Sequence, residues 1–193
     1  MKNLSAKFVL KVAGTLTVIA LVVAALLGLV NHITYDKIQE HLFESTKQAL
    51  AAVTPEGSTY DPVDLTDEAV AAASAQGGKL IEMYAVSTGG YACKVEASGS
   101  QGIIQMIVGV DESGAITGVS VVSNAETSGI GSKVMDNLPN AAGVPVLDQF
   151  IGMTGAGTLE VGKNVTAVTG ATVSTKGITM GANAALAAVA ALG

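Results

Sequence analysis

Nineteen consecutive residues without a charge, Val12 to Val30, constrain this chain more than any other feature. A helix rises about 1.5 Å per residue, so such a run spans the roughly 30 Å hydrocarbon core of a bilayer. A helix is also the form in which a single segment satisfies its own backbone groups in lipid. Lys2, Lys7 and Lys11 precede the run, whereas beyond it Lys37 and Lys47 are offset by Asp36, Glu40 and Glu44. Counted in lysines, that bias places the N-terminus inside and exports the remainder. A cleaved signal peptide is the competing reading, but its apolar region is typically only about 7–15 residues and no small-x-small site follows. An uncleaved anchor in the cytoplasmic membrane is therefore expected.

Composition narrows what the exported part does. The chain has 193 residues, 49% of them hydrophobic and 13% charged, enough for one domain beside the anchor. Its ten basic residues are all lysine, its net charge is -6 and it has no tryptophan, which argues against nucleic acid as a partner. One cysteine, Cys93, allows no internal disulfide, and no Cys-x-x-Cys pair or His/Cys cluster exists to hold zinc or iron–sulfur. Any redox group is then organic. Cys93 sits in a strand-like run and reads as a small buried hydrophobe. His32 and His41 read as surface or interfacial residues of the juxtamembrane segment.

Three parts are expected: residues 1–30 as N-terminus and anchor, 31–64 as juxtamembrane helix and linker, and 65–193 as an extracytoplasmic domain. Ile33, Ile38, Leu42, Leu50 and Val53 recur at helical spacing, and Pro55 and Gly57 end that helix. Thr66-Asp67-Glu68 reads as an N-cap and acidic first turn, with Gly77-Gly78 as the stop. Strands follow at Leu80–Val86, Tyr91–Ala97, Gly102–Val110 and Ile116–Ser123, the last two joined through Asp111-Glu112-Ser113-Gly114. Short connections make the sheet antiparallel and the fold class α+β. Residues 136–158 read as loop with one short helix near Leu147–Ile151, and Thr175–Leu192 as a closing helix.

Val168-Thr169-Gly170-Ala171-Thr172-Val173-Ser174-Thr175-Lys176 reads as an apolar strand end, a glycine turn and hydroxyl residues opening the last helix. The first amides of a helix lack intrahelical acceptors and carry the positive dipole end, so a phosphate is stabilised there without arginine. On local grounds, ordinary capping by threonine or serine is the simpler reading of the same residues.

Thr169-Gly170-Ala171-Thr172 resembles the Ser/Thr-Gly-Ala-Thr signature of the RnfG and NqrC family of flavin proteins. Asn124 to Lys133 is similar to that family's His-x-Glu-Thr-Pro-Gly-Leu-Gly loop, with Asn124 and Ser128 in place of histidine and proline and Ile130 in place of leucine. Gln149-Phe150-Ile151-Gly152 resembles a third family segment, Gln-Phe-x-Gly. The resemblance implies flavin mononucleotide (FMN) joined by a phosphoester to Thr172 and installed by a flavin transferase. That transferase reads an aspartate where this chain has Thr166. It implies cofactor contacts from Glu126, Thr127, Gly129, Ile130, Gly131 and Lys133, and from Thr169, Gly170, Ala171, Val173 and Ser174 around the attachment residue. Thr127 and Ile130 would flank the ring, and Lys133 or Lys176 would offset negative charge.

The function so implied is an electron relay in an ion-translocating ferredoxin:NAD+ oxidoreductase complex, with the other Rnf subunits as partners and no catalysis of its own. An NqrC-like subunit of a sodium-pumping NADH:quinone reductase is the nearest alternative, and a flavin-free anchored assembly or binding module a more distant one. A secreted hydrolase has little support, because both histidines lie near the anchor.

Overall fold

The charge-free run forms part of a single long helix, α1 (Ala6–Val53), in the computed structural model, which describes residues 6–192. Lys2, counted above for orientation, lies outside the described residues. This helix is long and apolar enough to cross a membrane, and none of its most apolar stretch is buried within the protein. The hydroxyls of Thr15, Thr17 and Thr34 each donate to the carbonyl four residues back. Such bonding removes the cost of carrying a free hydroxyl into hydrocarbon.

The chain divides into two compact units, residues 1–43 and residues 44–193. The last turns of α1 belong to the second, in which Thr46, Ala49, Leu50 and Val53 are buried. The expected domain start at residue 65 lies beyond them. It also lies beyond a short strand, β1 (Tyr60–Val63), where a polar linker was expected. Four residues with a central proline show no alternation, and Pro62 is tolerated because β1 is an edge strand.

The sheet then runs β2 (Gly78–Val86), β3 (Tyr91–Ser98), β4 (Ile103–Val110) and β5 (Ile116–Ser123). Spatial order follows sequence order, β1-β2-β3-β4-β5, with every neighbouring pair antiparallel. The fold is α+β, as expected, and the strands fall within two residues of their expected limits. Asp111 closes the β4–β5 turn by accepting from the amides of Ser113 at 2.8 Å and Ala115 at 3.0 Å, with Gly114 at φ 79.

One sheet face packs against α2 (Asp67–Ala75) and α4 (Thr172–Ala190). Thr66 caps α2, accepting from the Ala69 amide at 3.2 Å. Cys93, Val95, Met106 and Val108 meet Ile178, Ala182 and Ala185 there, all buried. The small residues of α4 set the close approach: a Cβ on Gly181 would meet Met106 Sδ at 2.5 Å. The opposite face takes the end of α1, where Ala49, Leu50 and Val53 join Val86, Ala92 and Ile107 in a second apolar cluster.

Three local features differ from the sequence reading. Val168 lies in irregular chain, not at a strand end. A one-turn helix, α3 (Ser132–Met135), follows the Asn124–Gly131 segment and is too short for any period to announce it. And α4 begins at Thr172, a turn before the expected Thr175.

Candidate functional site

The entrance of α4 is built by a glycine and left uncapped. Gly170 sits at φ 83 with nothing near its missing Cβ, so backbone conformation and not space requires glycine there. Ala171 occupies the N-cap position without a side-chain cap bond, although threonine and serine lie on both sides. Thr175, read above as the helix start, lies inside the first turn, and its Oγ donates back to the Ala171 carbonyl at 3.0 Å. Capping therefore does not account for this cluster of hydroxyl residues. Thr172, Val173 and Ser174, as the first three helical residues, keep amides without an intrahelical acceptor, and Thr172 itself is exposed.

Upstream, Gln149 holds the approach to this turn. Its side chain bonds the backbone of Thr166 twice, accepting from the amide at 2.8 Å and donating to the carbonyl at 3.1 Å. The neighbouring Phe150 is fully buried, and the Gly152 amide donates to the Ile116 carbonyl at 2.7 Å, tying the segment to β5.

Across from the α4 entrance lies the loop leaving β5. Ser174 Oγ donates to Glu126 Oε2, and the other carboxylate oxygen accepts from the amides of Ser100 at 2.7 Å and Gln101 at 3.1 Å. Partial burial alone would raise the Glu126 pKa. The hydrogen bonds from Ser174, Gln101 and Ser100 outweigh it, so the carboxyl is held below its ordinary value. A pocket of about 180 Å³ opens between the two segments, lined by Ser100, Glu126, Thr127, Ile130, Gly131 and the stretch Gly170 to Ser174. Ile130 and Val173 present exposed apolar side chains at its rim.

Comparison with known proteins bears on what this pocket serves. Residues 99–187 match the FMN-binding domain family, and residues 1–53 match the RnfG N-terminal region. The chain is 31% identical over 193 residues to the G subunit of the Na(+)-translocating ferredoxin:NAD(+) oxidoreductase complex of Acetobacterium woodii, covering 92% of this chain and 89% of that one. It is 29% identical over 180 residues to the G subunit of the ion-translocating oxidoreductase complex of Methanosarcina acetivorans, covering 89% of each. The chain belongs to the RnfG family. The match over α1, to an N-terminal region named for RnfG, favours this branch over the NqrC alternative.

Within this RnfG domain, most of the expected contacts converge. Glu126, Thr127, Ile130 and Gly131 face Gly170, Ala171, Thr172, Val173 and Ser174 across one opening. Gly129, Lys133 and Thr169 do not line it. Gly129 instead makes the local turn at φ 77, its amide donating to Ser132 Oγ at 2.8 Å. Lys176 borders a separate pocket with Glu160, Thr179 and Asn183. Ser100 joins the site without any warning in the sequence: it lies in the β3–β4 turn and contributes through its backbone. The uncapped helix start, the left-handed glycine and the apolar rim are chemically suited to a phosphate-bearing flavin nucleotide.

Proposed function

We propose that this chain is a membrane-anchored electron-transfer subunit of an ion-translocating ferredoxin:NAD+ oxidoreductase complex, and that it carries FMN as a phosphoester on Thr172. The observation that carries the reading is the entrance of α4, where an exposed Thr172 hydroxyl stands beside three amides that no side chain caps. In this reading the Thr172, Val173 and Ser174 amides neutralise the phosphate, a task that needs no arginine. Gly170 lets the chain turn tightly into the helix. Ile130 and Val173 would shield one side of the ring from water, and Thr127 would supply a hydroxyl beside it.

FMN supplies reversible one- and two-electron transfer when bound, so the protein's task is to fix its place and set its surroundings. The chain acts as a relay within the translocase, without turnover of its own. The lysine bias supports an N-terminus in the cytoplasm and a flavin domain outside it. There a covalent link prevents loss of a cofactor that is hard to replace. Its partners are the other Rnf subunits and, during maturation, a flavin transferase.

The test is maturation of the full chain beside its own flavin transferase. Denaturing electrophoresis should show an ultraviolet-fluorescent band, and intact mass should show one FMN added through phosphate. Thr172→Ala should abolish both signals. A colourless wild-type chain of unmodified mass would defeat the proposal.

A further inference from the structure

Two glycines in and beside the pocket wall make room for a carboxylate. Gly131 has φ -67, an angle any residue adopts, and Gly99 is not among the left-handed glycines. Neither is glycine for its backbone. A Cβ on Gly99 would fall inside contact distance of Glu126 Oε1, and one on Gly131 inside that of Glu126 Oε2, with Ser174 Oγ at 2.9 Å. Into the gap between them Glu126 places both oxygens, one on the Ser100 and Gln101 amides and the other on the Ser174 hydroxyl. Ser174 is almost fully buried. One side chain thus joins the β3–β4 turn, the loop after β5 and the first turn of α4.

The choice of partner on α4 matters. A carboxylate at a helix start ordinarily takes the free amides, where it would compete with a phosphate. Here Glu126 takes the Ser174 side chain and leaves the amides of Thr172, Val173 and Ser174 available. Among the residues lining the pocket it is also the one with an ionisable side chain. Both of its oxygens are committed to protein groups, so its part is to hold the site together.

We propose that Glu126 is a positioning residue: seated between Gly99 and Gly131, it clamps the first turn of α4 and thereby fixes the Thr172 hydroxyl for flavin attachment. The inference rests on the reading of Thr172 as the attachment residue. Attachment makes the Thr172 Oγ–phosphorus bond and breaks the pyrophosphate of a flavin dinucleotide donor. It releases the nucleoside monophosphate and passes the hydroxyl proton to the transferase. The rate of that step depends on where the hydroxyl sits, since a displacement near 1 Å costs on the order of 100-fold.

The experiment uses full-length chain in detergent, purified without flavin and then treated with the transferase and a flavin dinucleotide. Covalent fluorescence is followed over time, and each flavin-free variant is melted to check its fold. Glu126→Ala should slow loading at saturating donor by on the order of 10-fold or more, with the donor KM unchanged. Gly131→Ala, which crowds the carboxylate out without altering it, should do the same. Glu126→Gln keeps an oxygen for the two amides and turns its NH2 to Ser174 Oγ, and should recover loading to within about threefold of wild type. Wild-type loading by Glu126→Ala or Gly131→Ala overturns the proposal, as does Glu126→Gln loading as slowly as Glu126→Ala. If Glu126→Ala does not fold, the Gly131→Ala and Glu126→Gln pair decides. If the wild type itself takes up no flavin, the attachment reading fails separately. Hydrogen exchange at amides 172–175 then decides the clamp: faster exchange in Gly131→Ala supports it, and unchanged exchange overturns it.

Discussion

Gln149 grips Thr166 by its backbone alone, with one bond of 2.8 Å from the amide and one of 3.1 Å to the carbonyl. The segment three residues ahead of the Thr169–Thr172 turn is therefore held by a side chain from elsewhere, and the Thr166 side chain is left exposed.

Thr166→Asp should consequently leave stability within about 0.5 kcal/mol of wild type, since no partner of the threonine side chain is lost. By the family resemblance it should also raise the rate of flavin loading, read as covalent fluorescence against time. Gln149→Ala removes both bonds and should cost about 1–3 kcal/mol in chemical denaturation.

Gly109→Ala should destabilise the domain by about 1–3 kcal/mol, because its new Cβ would lie 2.5 Å from the Val53 carbonyl oxygen at the end of α1. The same carbonyl accepts from the Thr117 hydroxyl at 2.5 Å. Thr117→Val should therefore weaken the same contact by about 1 kcal/mol in the same measurement.

Acid should loosen the site before neutral or alkaline conditions do. The Glu126 carboxyl is held below its ordinary value of 4.5 by the Ser174, Gln101 and Ser100 bonds, against the opposing effect of burial. Asp111 is lowered too, chiefly by the Ser113 hydroxyl. A depressed carboxylate contributes stability that is present above its unfolded pKa and lost as pH falls through its folded one. Melting temperature should be level above about pH 5 and fall below it. Glu126→Gln should flatten part of that acid limb.

Cys93 should resist alkylation in the folded chain. It is fully buried and its thiol is pushed up to about 12, so almost no thiolate is present at pH 8. Iodoacetamide should add to the protein only after denaturation, as read by mass. Rapid native labelling would contradict this packing.

Much of the architecture is local and so was readable along the chain. Val12–Val30 announces its helix by lacking charge, and the Thr66 cap and the β4–β5 turn each depend on residues a few positions apart. The strands show themselves because alternate residues face a core. What escaped was short or shared. The four residues of β1, Tyr60–Val63, become a strand only because β2 offers an edge, and α3 is a single turn.

The site divides along the same line. The glycine turn and the hydroxyls around Thr172 were legible locally, because they are written in adjacent residues at a helix start. That Glu126 meets Ser174, 48 positions away, and that Ser100 joins them from a third segment, was decided only when the sheet and α4 packed. Spacing in sequence carries no information about such meetings, since three separate backbones must first be brought together by burial of the core between them.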